Sequence, residues 1–178
     1  MNPVEVLFYS IGAMIGIIAL ARGYRMELGS TLIILVAIFV LTFFEDEMLG
    51  VFNRASDLFF GPRSGDDWMR QLFYMLVFQV VFVVIVFMGY AGRTLEFPGT
   101  QAPPPQGTLL TLALGFLNGY LIAGTLWYYL DRFNYPVQQL GLICLPLTTT
   151  GQELVQVLPQ RVFESPTYWM LPVAALLI

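Results

Sequence analysis

The feature that most constrains this chain is a set of four long apolar runs that contain almost no charge. They cover residues 3–21, 28–44, 68–92 and 108–130. A helix needs about 20 apolar residues to cross the hydrocarbon core of a bilayer, with a lower limit of about 17. Charged residues make up only 11% of the chain, whereas about a quarter is usual in soluble domains. The runs therefore predict membrane spans.

The continuity of these runs decides between the two architectures that a bilayer permits. Only helices and closed barrels satisfy their backbone hydrogen bonds inside hydrocarbon. The strands of a membrane barrel alternate apolar and polar residues, and these runs do not alternate. We therefore predict an all-α membrane protein with about four transmembrane helices.

A second pattern lies between the second and third runs. Apolar side chains between residues 48 and 60 share one helical face, and polar side chains lie toward the other. The apolar set is Met48, Val51, Phe52, Ala55, Leu58 and Phe59. This pattern is typical of a helix that lies in the membrane interface. Residues 1–132 are therefore predicted to form a four-helix transmembrane domain with an interfacial helix at about 48–60.

The remaining segment, residues 133–178, is broken by prolines and only partly apolar. Residues Thr150 to Glu153 match a capping box, which predicts a short helix that Pro159 ends. The apolar stretch 168–178 is too short to span a bilayer, so we expect it to be re-entrant or interfacial. Because the chain stops inside this apolar stretch, the sequence also suggests that natural C-terminal residues are missing.

The composition argues against several classes of function. The net charge is −4, which does not suit a nucleic-acid partner. The chain has no His, the commonest ligand of zinc and the usual general base. The single cysteine, Cys144, lies among apolar residues and is interpreted as a packing residue. We therefore predict no catalytic residue, no metal site and no cofactor.

Small residues spaced four apart mark two of the predicted spans. They are Gly12 and Gly16 in the first span and Gly115, Gly119 and Ala123 in the fourth. This spacing makes a groove that lets another helix backbone come close. The partner is either another span of this chain or another protein, and the sequence leaves both interpretations open.

Few polar groups interrupt the spans. Gln79 and Asn118 are amides that need partners in hydrocarbon, so they should face protein. They form interhelical hydrogen bonds or, alternatively, contact a solute or quinone. Glu5 is interpreted as an interfacial residue, with a buried proton carrier as the alternative. The predicted spans hold no acid or arginine at mid-membrane, which makes a transporter the weakest hypothesis.

The short turn after the first span carries concentrated positive charge. Arg22, Tyr24 and Arg25 are predicted to bind an anionic lipid headgroup. Basic residues near span ends favour the cytoplasmic side of a membrane. We therefore expect this turn to be cytoplasmic.

Two segments resemble a known family. The first is Ala21-Arg22-Gly23-Tyr24 followed by Arg25-Met26-Glu27-Leu28, and the second is the glycine-rich stretch 115–122 that contains Asn118. Their order resembles the colicin V production (CvpA-type) family of bacterial inner-membrane proteins over roughly residues 1–132. The chain departs from the family at Pro103-Pro104-Pro105, where an amphipathic stretch is usual.

The resemblance implies a multi-pass protein of the bacterial cytoplasmic membrane, tied to envelope homeostasis or to export of a secreted peptide. Its partners would be membrane lipids and other membrane proteins, or a second copy of itself. The alternative hypothesis is a non-catalytic accessory subunit of a respiratory or photosynthetic complex. Phe82, Phe87 and Met88 would then pack on a neighbouring subunit or on pigments.

Overall fold

The computed structural model describes residues 2–61, 68–91, 103–163 and 165–177, and these residues form helices, turns and no strand. Four helices are long and apolar enough to cross a membrane. They are α1 (Pro3–Arg22), α2 (Tyr24–Phe43), α4 (Trp68–Ala91) and α5 (Gln106–Arg132), with α3 (Glu45–Phe60) between the second and third spans. The predicted all-α membrane fold is confirmed.

The first turn is shorter than the sequence predicted. Only Gly23 separates α1 from α2, and its backbone has φ +82° and ψ 158°, a conformation that suits glycine. The second span therefore begins at Tyr24 and not at residue 28. As a result Glu27, expected in a polar turn, lies in the first turn of a helix.

The two glycine motifs pack against each other, so α1 and α5 form the closest helix pair. A Cβ added to Gly119 would lie 2.8 Å from the Cα atom of Gly12. A Cβ added to Gly115 would lie 3.1 Å from the Cα atom of Gly16 and 2.5 Å from the Cβ atom of Ala19. The backbones approach this closely because no side chain stands between them.

An aromatic and aliphatic core joins α2, α4 and α5. Phe78 and Phe82 of α4 are fully buried. The Phe78 ring stacks on Tyr129 of α5, with the ring centroids 4.8 Å apart. Leu41 and Ile38 of α2 close the same cluster. Phe82 therefore belongs to the core, whereas the sequence analysis placed it on an outer face.

The amphipathic helix α3 begins at Glu45, three positions before the predicted start. Its Ser56 hydroxyl accepts a hydrogen bond from Arg70 of α4 at 2.9 Å. Phe52 packs edge-on against Phe78 at 5.6 Å between ring centroids. Leu58 and Phe59 remain largely exposed. The helix therefore uses one side to hold the bundle and offers an apolar stripe to its surroundings, as an interfacial helix would.

The C-terminal segment folds back onto the spans through two short helices, α6 (Thr149–Gln156) and α7 (Pro159–Val162). The predicted capping box is wrong, because the Thr148 hydroxyl caps α6 by accepting the Gly151 N–H at 3.1 Å. Pro159 begins α7 and does not merely end α6, which suits a residue that lacks an N–H.

The apolar end of the chain forms a 3₁₀ turn, Pro166–Trp169, and then α8 (Met170–Leu177). Trp169 is buried in the same core as Leu41 and Phe78. This segment is too short to span a membrane and packs against α2 instead. Residues 92, 97–102 and 178, the remaining parts of the predicted third span, proline-rich loop and tail, lie outside the described residues.

The glycine contact generates a matched pair of substitutions. We expect Gly119→Ala to lower the free energy of unfolding by about 1–3 kcal/mol, because the new methyl group meets the Gly12 backbone. Gly12→Ala should change it much less, because a Cβ at Gly12 has no atom within 4 Å. Unfolding of the two purified variants in a detergent titration measures this difference. Equal effects of the two substitutions would contradict the packing described.

Candidate functional site

A fully buried carboxylate lies at the end of the bundle where α1 meets α2. Glu27 has 0% of its surface exposed. Its Oε1 atom lies 2.9 Å from the Nε atom of Arg22 as an ion pair, although these two atoms do not form a hydrogen bond. Its Oε2 atom accepts hydrogen bonds from Asn118 Nδ2 at 2.9 Å and from the Tyr90 hydroxyl at 3.1 Å. One side chain is thus held by three other helices.

The guanidinium of Arg22 uses its remaining nitrogens for the same cluster. Nη1 donates to the backbone carbonyl of Tyr90 at 2.6 Å, and Nη2 donates to the Ser30 hydroxyl at 3.0 Å. The guanidinium also lies 4.5 Å from the centroid of the Tyr90 ring, within cation–π range. Arg22 therefore connects the ends of α1 and α4 with the start of α2.

Helix dipoles favour this arrangement of charges. Arg22 is in the last turn of α1, and it binds a carbonyl in the last turn of α4. The C-terminus of a helix carries partial negative charge, so both ends favour a cation. Glu27 is in the first turn of α2, where partial positive charge favours an anion. The ion pair therefore offsets the dipoles of three helices at one place.

Asn118 and Thr31 complete the cluster from the bundle interior. Asn118 is fully buried, and its second amide proton is donated to the Glu27 backbone carbonyl at 3.1 Å. Its Oδ1 atom lies 2.7 Å from the Thr31 hydroxyl. Both amide protons and the amide oxygen are thus engaged. We call Arg22, Glu27, Ser30, Thr31, Tyr90 and Asn118 the Glu27 cluster.

The predicted site residues divide between this cluster and other places. Arg22 and Asn118 meet at Glu27. Arg22 faces the protein interior here, whereas the sequence analysis expected it to bind a lipid headgroup. Tyr24 and Arg25 are half-buried at the same turn and interact with neighbouring groups. Gln79 lies elsewhere and donates to the Leu126 carbonyl at 3.0 Å, which is an interhelical hydrogen bond.

Ala123 and the glycines of α5 lie on the faces that meet other parts of the chain. Ala123 is buried. The adjacent Gly124 lies against Pro159 of α7, and a Cβ added to Gly124 would lie 2.4 Å from the Cδ atom of Pro159. Gly115 and Gly119 contact α1. Their positions in this chain are therefore internal packing positions.

Sequence reasoning missed Glu27 and Tyr90. Glu27 was assigned to a polar turn because charged residues lie on both sides of Gly23. The signal that was available is the spacing of Glu27 and Thr31 by four residues, which places them on one helical face if α2 begins at Tyr24. No comparable signal identifies Tyr90, since only the fold brings the end of α4 to this turn.

A second buried acid lies near the opposite end of the bundle. Glu5 accepts a hydrogen bond from the backbone N–H of Asn2 at 3.1 Å and another from the Thr148 hydroxyl. The Asn2 side chain donates to the Cys144 carbonyl at 2.7 Å. Glu5 is therefore buried within the protein, and it links α1 to the C-terminal segment.

The C-terminal segment is held to the same end by Tyr135. Its hydroxyl accepts a hydrogen bond from the Trp127 indole N–H at 3.0 Å. Burial raises the pKa of the Tyr135 phenol, so this group stays protonated at physiological pH. The contact is therefore a neutral structural link.

An apolar groove of about 360 Å³ runs along the outside of the bundle between α1 and α4. Its walls carry Met14 and Ile18 of α1 and Val83 and Phe87 of α4, and Ile122 of α5 lies on its floor. Tyr90 lies at the end nearest the Glu27 cluster. Such an apolar surface favours contact with hydrocarbon groups.

The chemistry of the Glu27 cluster is that of a structural clamp. Its carboxylate, guanidinium and amide are already engaged with each other. In the part of the chain that the structure describes, no group of His, Cys, Asp or Glu could hold a metal ion.

No family model matches the chain, and neither the curated proteins nor the solved structures contain a significant match.

The clamp predicts a specific pattern of stability. Glu27→Leu should lower the free energy of unfolding by about 3–5 kcal/mol, because it leaves the Arg22 charge without its partner. Arg22→Leu combined with Glu27→Leu should restore much of the loss, because no uncompensated charge remains. A detergent titration of the three purified proteins measures both effects. Glu47→Gln on exposed Glu47 of α3 is the control, and a double variant as unstable as Glu27→Leu would contradict the ion-pair account.

Proposed function

We propose that this chain is a CvpA-like, multi-pass protein of the bacterial cytoplasmic membrane that acts by binding lipids and other membrane proteins. Its role would be in envelope homeostasis or in export of a secreted peptide. The observation that carries the proposal is that the two segments of the resemblance meet in space. Arg22 and Glu27 come from the first segment, Asn118 comes from the second, and they share one hydrogen-bonded cluster.

The state of the buried charges supports a binding role over transport. The buried carboxylate of Glu27 pairs with Arg22 at 2.9 Å, and the buried carboxylate of Glu45 pairs with the exposed Arg132 at 2.8 Å. A proton or ion path uses intramembrane groups that can exchange partners. The carboxylate of Glu27 instead has three fixed partners, which suits a rigid scaffold.

The outer faces of α1 and α4 supply the surface for such binding. Only 28% of each of these two spans is buried inside the protein, compared with 56% of α2. The apolar groove between them adds a concave surface. Contact with acyl chains or with the spans of another protein would both use this surface.

One observation favours the second candidate, an accessory subunit of a respiratory or photosynthetic complex. Phe87 and Met88 project outward from α4 with 69% and 66% of their surfaces exposed. Aromatic residues and methionine are enriched where proteins meet partners. In this case the chain would act as a scaffold and would contribute no ligand to a cofactor.

Deletion of the gene in its native host tests the first candidate. We expect the deletion strain to grow normally in ordinary medium and to lose viability in a detergent that stresses the envelope. The wild-type gene and Gly12→Ala should restore survival, whereas Glu27→Leu should not. Unchanged survival of the deletion strain, together with unchanged export of secreted peptides, would overturn the envelope role.

Extraction in mild detergent separates the two candidates. Native gels and mass spectrometry identify what migrates with the chain. Constant stoichiometry with electron-transfer or pigment proteins would replace the first candidate by the second. Migration alone or as a small homo-oligomer with lipid would support the first.

Orientation in the membrane is tested with the single cysteine. Cys144 is exposed and lies near the end of the bundle opposite to Arg22. If the Arg22 turn is cytoplasmic, Cys144 faces the outside. A membrane-impermeant maleimide should then label Cys144 in intact spheroplasts, and Cys144→Ser should abolish labelling. Labelling only after the membrane is opened would reverse the orientation.

A further inference from the structure

The apolar groove between α1 and α4 extends over one half of the bilayer. On α1 its lining runs from Ile18 to Ile11, and on α4 it runs from Tyr90 to Phe82. At 1.5 Å per residue, Ile11 lies about 16 Å along α1 from Arg22, the last residue of that helix. The hydrocarbon core of a bilayer is about 30 Å thick. The groove therefore begins near the membrane surface on the Arg22 side and reaches about the middle of the membrane.

The groove narrows near the middle of the membrane. Beyond Ile11, the space between α1, α4 and α5 shrinks to about 60 Å³, compared with about 360 Å³ in the groove. Leu7, Gln79 and Leu126 line this smaller space, and the Gln79 amide donates to the Leu126 carbonyl there. The occupant of the groove therefore fits within one leaflet, as the acyl chain of a lipid does, whereas a transmembrane helix crosses both leaflets.

The lining of the groove offers no hydrogen bond to an occupant. Met14, Val83 and Phe87 are exposed apolar side chains that form its walls. Among the described residues that line the groove, Tyr90 alone has a polar side-chain atom, and its hydroxyl donates to Glu27. Both α1 and α4 pack on α5, which leaves the groove between them open to the surroundings. Its contacts with an occupant are therefore those of hydrocarbon with hydrocarbon.

The surface end of the groove lies beside Arg22. The guanidinium is 4.5 Å from the centroid of the Tyr90 ring, which lines the groove. Although Arg22 faces the Glu27 cluster, 15% of its side chain is exposed. Nη1 donates to the Tyr90 carbonyl and Nη2 to Ser30, and each of these nitrogens carries a second N–H. Arg22 therefore has donors for an anionic group that lies at this end of the groove.

We propose that the groove holds one acyl chain of a phospholipid from the leaflet on the Arg22 side, with the phosphate of that lipid bound by Arg22. The groove has the length of one leaflet and an apolar lining, and the guanidinium lies at the end where the headgroup would be. A guanidinium is well suited to phosphate oxygens, because its planar N–H groups match their geometry. One ligand thus satisfies both the groove and the arginine.

This inference rests on the lipid-binding part of the proposed function and names its ligand and its surface. The tests on purified protein do not depend on the envelope role. A negative result would remove the lipid site and leave the envelope role standing. A missing deletion phenotype would remove the envelope role and leave the lipid site standing.

Photo-cross-linking of the purified, delipidated chain in dodecyl maltoside tests the acyl chain. Added phosphatidylglycerol with a diazirine on one acyl chain should label residues 11–18 and 82–90. Val83→Trp should remove most of this label, because the larger side chain fills the groove. Val84→Trp is the matched control, since Val84 is exposed on the same helix but does not line the groove. Label spread evenly over the outer faces of α1 and α4, or equal label in the two variants, would overturn the proposal.

Native mass spectrometry of the same preparation tests the headgroup. Phosphatidylglycerol should bind about 10-fold or more tightly than diacylglycerol with the same acyl chains, the usual effect of a hydrogen bond to a charged group. Equal binding of the two lipids to the unchanged chain would overturn the proposal, and this comparison needs no variant. The double variant Arg22→Leu, Glu27→Leu should lose the preference, because no guanidinium remains. A preference that persists in the folded double variant would also overturn the role of Arg22.

A photoreactive residue in the groove identifies the occupant in native membranes. Phe87 lines the groove and is exposed, so p-benzoylphenylalanine at this position changes the packing little. After irradiation we expect adducts with phospholipid, detected by the added mass on peptides of α4. Adducts with another protein, with a quinone or with a second copy of the chain would overturn the proposal, and so would the absence of lipid adducts.

Discussion

The ion pair between Arg22 and Glu27 is the interaction on which the arrangement of the spans depends. A charge buried at the end of a membrane bundle needs a partner, and here the two charges are partners of each other. Glu27 accepts from α4 and α5, while Arg22 binds the end of α4 and Ser30 of α2. Four spans must therefore converge at one level, which limits sliding of any helix along its axis.

The glycine contact makes this convergence possible. Asn118 reaches Glu27 only if α5 lies close to α1 and α2, and Gly115 and Gly119 allow that approach because they have no side chain. The Glu27 cluster and the glycine contact are thus adjacent, and the first depends on the second. Apolar packing in lipid has little directional preference, so the polar contacts select the register that the glycines permit.

Much of the fold could be predicted from the sequence, because membrane spans depend on local hydropathy. The four apolar runs gave the four spans to within a few residues, except at the start of α2. That boundary was wrong because Arg25 and Glu27 looked like turn residues, and only the fold supplies the partners that bury Glu27. Whether charged residues next to a glycine belong to a turn or to a helix therefore depends on the neighbouring helices.

The candidate site was predicted only in part. Arg22 and Asn118 were selected for separate reasons, and no local pattern shows that they share a partner. The capping box at Thr150 failed for a similar reason. Thr148 also binds Glu5, and this long-range contact selects it as the cap in place of Thr150. Contacts between residues distant in sequence therefore determine which threonine caps α6 and which side chains meet at Glu27.

The two ends of the bundle differ in how far their polar side chains are buried. Near Gly23, the Glu27 carboxylate and the Asn118 amide find their partners within one chain. At the opposite end, the chain buries Glu5 at the start of α6 and leaves Gln156 at the end of α6 exposed. The Glu27 end is therefore closed by polar contacts within the chain, whereas the α6 end presents polar side chains to its surroundings.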